Sequence, residues 1–207
     1  MAKLKMAKIK TDNQFRQIIL ASKSPRRAEL LKKAGIEFTI ETGEYKEEMD
    51  LNLPPEKLAE TLAFKKAEEI SAKHPEAIVI GADTIVVTEG EVLGQPPDAD
   101  SSRRMLEKLS GRPHRVITGF ALVCGETLVR EVKSVTTKVY FRKLSADEID
   151  AYIKSGEPMG KAGSYAIQGG GASFVEKIEG DYYNVVGLPV GELLGVLSKI
   201  LMENKTG

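Results

Sequence analysis

Between Ala77 and Thr88 the chain carries an apolar, β-branched run whose only interruption is Gly81-Ala82-Asp83-Thr84. A segment of this composition suits a strand covered on both faces, which places it in the middle of a sheet. Glu89-Gly90 follows as a hairpin turn. The rest of the chain therefore has to supply strand neighbours and helices to cover this strand.

The neighbours are legible. Ile18 to Ala21 reads as a short buried strand, followed by a helix with Ser24 at its N-cap, Pro25 in its first turn and Gly35 at its end. Glu37 to Thr42 is predicted as a second strand, and the acidic segment around Glu44, Glu47, Glu48 and Asp50 as a loop. Pro54-Pro55 opens a helix to about Lys73, with Leu58, Leu62, Ala63, Ala67 and Ile70 at helical spacing. Asp98 to Ser110 forms another helix, stopped by Gly111. Arg115 to Val123 and Leu128 to Phe141 read as two long strands joined around Gly125, which favours antiparallel pairing and a mixed sheet. Ser145-Ala146-Asp147-Glu148 has capping-box spacing. Beyond the glycine-rich stretch Gly160 to Gly171, Phe174 to Ile178 and Tyr183 to Val186 are predicted as strands, and Pro189 to Met202 as a terminal amphipathic helix. The expected class is α/β, a mixed twisted sheet with flanking helices. A single domain is expected over residues 18–207, with residues 1–17 as an extension.

Charge and cysteine content narrow the function. Acidic and basic residues balance at 30 each, so no overall positive field draws the chain to nucleic acid or an anionic membrane, and any anion must be held locally. The single cysteine, Cys124, permits no disulfide or multi-cysteine zinc site within one chain. It reads as an inert core thiol, and His74 and His114 lack metal-ligand spacing. No segment has the continuous apolar length of a signal peptide or membrane span, so the expectation is a soluble, cytoplasmic protein.

Local chemistry points to phosphate. In Ser22-Lys23-Ser24-Pro25-Arg26-Arg27, the free N–H groups of a helix start combine with two hydroxyls and two guanidinium forks. Two arginines in a first turn oppose the helix dipole unless an anion lies beside them. The alternative is a capped helix with solvated arginines. Asp83 has two readings: a structural acceptor at a strand end, or a carboxylate that holds a divalent cation or accepts the proton of a water. Lys66 and Lys161 are further candidate phosphate partners. No Walker-type phosphate loop occurs.

Leu20-Ala21-Ser22-Lys23-Ser24-Pro25-Arg26-Arg27, Leu109-Ser110-Gly111, Gly81-Ala82-Asp83-Thr84, Lys161-Ala162-Gly163-Ser164-Tyr165-Ala166-Ile167-Gln168-Gly169 and Val186-Gly187-Leu188-Pro189 together resemble the Maf family from about Ile18 to Met202. The resemblance implies a fold related to the inosine triphosphate pyrophosphatases, with a cleft between two lobes, usually as a homodimer. It also implies hydrolysis of nucleoside triphosphates to monophosphate and pyrophosphate with magnesium or manganese, water attacking the α-phosphorus. By the same resemblance Asp83 matches the proton acceptor, and Ser22, Arg26, Arg27 and Lys66 match phosphate-side positions. Glu47, with Asp83, is associated with the metal.

Arg26, Thr84 and Gln168 resemble the branch acting on dTTP and UTP, where the 7-methyl-GTP branch tends to carry Trp, Gln and Glu. A glutamine amide both donates and accepts, matching the carbonyl and imide N–H of uracil or thymine, although rotated it can also pair with cytosine. One departure stands out: Gly94-Gln95-Pro96 replaces the family's common Gly-Lys-Pro, leaving Lys161 as a nearby source of charge. The family's association with arrest of cell division raises an alternative, a nucleotide-binding regulator of septum formation with incidental hydrolysis.

Overall fold

The apolar run forms β3 (Ile78–Thr88), every residue of which is buried except the half-buried Thr84. The structure is a computed structural model that describes residues 17–46 and 52–203. The expected extension, apart from Gln17, and the acidic residues Glu47, Glu48 and Asp50 lie outside the described residues. In chain order the other elements are β1 (Ile18–Leu20), α1 (Pro25–Lys33), β2 (Thr39–Ile40), α2 (Pro55–Ser71), β4 (Glu91–Leu93), α3 (Ala99–Leu109), β5 (Pro113–Cys124), β6 (Val129–Phe141), α4 (Ala146–Lys154), β7 (Val175–Glu179), α5 (Tyr182–Val186) and α6 (Val190–Glu203).

The strands make one seven-stranded mixed sheet in the order β2-β1-β3-β5-β6-β7, with β4 paired to β3. β1 runs parallel to β2 and β3, while β3, β5, β6 and β7 pair antiparallel in succession. Glu89 and Gly90 both have positive φ, as expected of the tight turn between β3 and β4.

Two glycines set how the sheet is covered. α2 lies directly on one face: a Cβ on Gly81 would sit 2.2 Å from the Ala63 carbonyl oxygen, and one on Gly119 2.1 Å from that of Ala59. Ala59, Ala63 and Ala67 are small and fully buried where α2 makes this approach. Leu58 and Leu62 pack there against Ile85, Val87 and Ile117, and Phe64 and Ile70 against Ile19, Val79 and Val123. The opposite face carries the larger core, with Leu30 and Leu31 of α1, Leu106 and Leu109 of α3, Ile149 of α4 and Leu193 and Leu197 of α6 against Ile78, Ile80, Phe120 and Leu122.

One expected strand is a helix. Tyr183 to Val186 lies in α5, where the Asp181 carboxylate accepts the Tyr183 N–H at the helix start and Gly187, at φ 125°, ends it. The aromatic and β-branched residues of this segment favour a strand, but the flanking cap and stop prevail. β2 is shorter than predicted, because only Thr39 and Ile40 pair with β1 at the sheet's edge. The capping box at Ser145 and Glu148 is present. Ser24 occupies the N-cap of α1, but its hydroxyl makes no capping bond; the Ser22 hydroxyl instead accepts the Ser24 N–H.

Candidate active site

β1 pairs with β3 only as far as Leu20 and Ile80, and β4 joins the same edge of β3 only from Val86. Residues 81–85 of β3 are thus bare of a strand neighbour on this edge, among the described residues. The chain leaving β1 turns here into Ser22 and α1, so a crevice opens beyond the carboxyl end of a parallel strand, a usual ligand site in such sheets. The crevice is a cleft of about 810 Å³. It gathers Ser22, Arg26 and Arg27 from α1 and its approach, Lys66 from α2, Asp83 and Thr84 from β3, Gln95 from beyond β4, and Lys161 and Gln168 from the glycine-rich segment. Every predicted site residue within the described region lines this cleft; Glu47 lies outside the described residues.

Successive strand residues point to opposite faces, and the cleft uses both. Asp83 faces α2, where Lys66 Nζ lies 2.5 Å from its Oδ1. Asp83 is buried, so the nearby ammonium offsets part of the cost of placing a carboxylate in the sheet. Thr84 faces the other way. Its hydroxyl accepts from Arg27 Nη2 at 3.1 Å and shares a hydrogen with Thr118 at 2.9 Å, while Thr118 also bonds the Asn184 carbonyl.

The two arginines have different environments. Arg27 is buried, and besides Thr84 it donates from Nε to the Gly187 carbonyl at 2.9 Å and from Nη1 to the Ser22 hydroxyl at 3.1 Å. It joins α1, β3 and the end of α5 as a brace. Arg26 is half-buried, and no hydrogen bond or ion pair joins it to another described residue. Burial lowers its affinity for its proton, partly countered by the Tyr152 phenol. Lys161 is likewise lowered by burial and then by Arg26, with Glu157 opposing. Two partly desolvated cations that repel each other, at a helix N-terminus with no acidic residue in its first turn, make a place where an anion relieves unfavourable charge.

Gln95 lines the same cleft, with its amide oxygen close to Gly160. The Gly94 carbonyl accepts from Gly163 N at 3.0 Å, which ties the end of β4 to the glycine-rich segment. Gln168 is exposed in the cleft. Among the described residues no group of three or more His, Cys, Asp or Glu is placed to hold a metal. His114 is buried in an aromatic cluster, His74 pairs with Glu41, and Cys124 is buried with its thiol donating to the Pro75 carbonyl.

Sequence reasoning missed two acids. Glu69 on α2 takes the backbone N–H groups of Glu44 and Tyr45 at 2.8 and 2.9 Å, fixing the loop that leads towards Glu47. Its only signal in the sequence is a position one turn beyond Lys66 on the same helix face. Glu157 binds the glycine turn beyond Gln168, and nothing in its local sequence marks it.

Residues 17–200 match the Maf family, described as Maf-like protein. The chain belongs to the Maf family. Among Maf relatives, one from Geotalea uraniireducens is 51% identical over 183 residues, spanning 88% of this chain and 94% of its own. Others from Symbiobacterium thermophilum and Bacillus pumilus are 49% and 48% identical, spanning 89% and 87% of this chain and 94% and 95% of theirs. All three are named dTTP/UTP pyrophosphatase. The Maf match runs through every strand and through the whole lining of the cleft.

Proposed function

We propose that this Maf protein is a hydrolase that cleaves dTTP and UTP to the monophosphate and pyrophosphate. The observation that carries this reading is the cleft at the bare edge of β3, where one buried carboxylate, Asp83, meets cations from three segments: Lys66 on α2, Arg26 and Arg27 on α1, and Lys161 in the glycine-rich stretch. That balance suits a polyphosphate together with one site of proton transfer. Relatives of about half identity over nearly their whole length, named for this activity, support it.

In the reaction, a water oxygen attacks the α-phosphorus, forming a new P–O bond as the bond from the α-phosphorus to the bridging oxygen breaks. Asp83 accepts the proton of that water, and pyrophosphate leaves with its added charge. Arg26 and Lys161 neutralise the triphosphate, and the Ser22 hydroxyl and the N–H groups at the start of α1 bind its oxygens. Lys66 holds the Asp83 carboxylate towards the cleft. Thr84 acts through Arg27, whose brace orients the start of α1. Gln168 reads the base by donating to a carbonyl and accepting from the imide N–H.

The oxygen donors present fit a hard divalent cation. Magnesium commonly takes one or two carboxylates and completes its shell with substrate phosphates and water. Asp83 supplies a buried carboxylate in the cleft, and Glu47, close in sequence to the Glu44 and Tyr45 backbone held by Glu69, is the proposed second. Such an ion, magnesium or manganese, would supply charge stabilisation to the phosphates. A cytoplasmic homodimer that removes unwanted pyrimidine triphosphates completes the reading.

Product analysis tests it. Purified protein incubated with each triphosphate and magnesium or manganese should yield monophosphate and pyrophosphate, fastest from dTTP and UTP. Diphosphate and orthophosphate as products would overturn it.

A further inference from the structure

Tyr152, in the last turn of α4, is buried, and its hydroxyl accepts the Ala166 N–H at 3.0 Å while donating to Glu157 Oε1 at 2.7 Å. Glu157 also takes the N–H groups of Gly170 and Gly171 at 3.0 and 3.2 Å. Burial pushes the Glu157 carboxyl up, but the Gly170 N–H, the Tyr152 hydroxyl, the Gly171 N–H and nearby Lys161 together hold it below its ordinary range. It therefore stays ionised as an acceptor for three donors.

This cluster closes on the glycine turn without spare room. A Cβ on Gly169 would lie 2.4 Å from Glu157 Oε1, and one on Gly171 2.8 Å from the Ala166 carbonyl oxygen and 2.9 Å from the Tyr152 hydroxyl. Gln168 sits between the two fixed points. On one side Tyr152 holds Ala166, on the other Glu157 holds Gly170, and Gly169 N bonds back to the Ala166 carbonyl at 3.2 Å. The Gln168 side chain is exposed in the cleft, so the backbone around it sets where its amide stands, while rotation about its own terminal bond still exchanges oxygen and nitrogen.

We propose that Glu157 and Tyr152 are positioning residues for nucleobase selectivity, fixing the 166–171 turn so that Gln168 stands at the distance of a pyrimidine ring's edge. The inference rests on the reading of Gln168 as the residue that contacts the base. Guanine offers the same carbonyl and N–H pair but carries it farther from the sugar on its larger ring, so a loosened turn lets the amide follow either base.

The test compares kcat/KM for UTP with that for GTP. In Glu157→Gln and Tyr152→Phe the ratio should fall about tenfold, the size of one lost hydrogen bond, mainly through a higher KM for UTP. In a Gln168→Ala background the same substitutions should leave the ratio unmoved. Tyr152→Phe keeps the ring packed on Phe174 and so keeps the test available if Glu157→Gln misfolds. An equal loss for both nucleotides, or a change of ratio that persists without Gln168, overturns the proposal. Calorimetric binding of UTP and GTP to Asp83→Asn protein yields the ratio without turnover. Failure of the wild type to release pyrophosphate would then defeat the functional reading while leaving selectivity to be judged by binding.

Discussion

Lys66 Nζ and Asp83 Oδ1 meet 2.5 Å apart across the junction of α2 and β3. The pair places the cleft's buried carboxylate beside a cation on the helix that lies against the sheet through Gly81 and Gly119. Asp83→Asn keeps the shape and removes the charge. Turnover should fall about 10²- to 10⁴-fold, the usual worth of a general base, while nucleotide binding persists. Unchanged turnover in a pyrophosphate-release assay would remove Asp83 from this role.

Arg26 and Arg27 should separate by phenotype although they are adjacent. Arg27→Lys loses the planar fork that reaches Gly187, Ser22 and Thr84, and should cost about 3 kcal/mol of stability in urea unfolding. Arg26→Ala breaks no bond to another described residue. It should leave the unfolding midpoint nearly unchanged and raise KM about tenfold, the size of one charge-assisted contact to phosphate.

The close approach of α2 makes a backbone prediction. Gly119→Ala drives a Cβ to 2.1 Å from a helix carbonyl that cannot step aside, and should destabilise the protein by about 3 kcal/mol or more. Gly125→Ala meets Pro75 at 3.5 Å, ordinary contact, and should change stability by less than about 1 kcal/mol. Thermal unfolding of the two variants checks the contrast.

His114 predicts a pH dependence. Its ring is buried among Phe141 and Tyr165, with Nε2 2.8 Å from the Tyr165 hydroxyl, and burial lowers its pKa from 6.5 to about 4. The folded state therefore resists a proton that the unfolded chain takes up. The contribution is fully present above pH 6.5, falls as pH drops from 6.5, and is lost by about 4. The loss is on the order of 3 kcal/mol. Urea midpoints at intervals across that window should show it in the wild type and show it reduced in His114→Gln.

Much of this was legible in the chain. The hydrophobic run of β3, the helix punctuation by Ser24, Pro25 and Gly35, and the capping box at Ser145 are local signals, and the elements they mark are present. The cleft residues were marked by polar groups at the ends of apolar segments, as with Asp83, and by cations at a helix start, as with Arg26. Long-range bonds were not legible. That Arg27 reaches Gly187, that Glu69 holds a loop and that Glu157 holds the turn after Gln168 follow from packing between distant segments. The strand expected at Tyr183 to Val186 is a helix because the segment's intrinsic preferences oppose its caps, and Asp181 and Gly187 decide it.

Asp83 and Thr84 are neighbours in sequence yet look away from one another through the sheet. A single strand thereby acts as a partition, with the buried carboxylate and its lysine on α2 on one side and the arginine brace on the other. Mutations that remodel one compartment need not disturb the other. A protein built this way can change the groups around Thr84 while the Lys66–Asp83 pair stays intact.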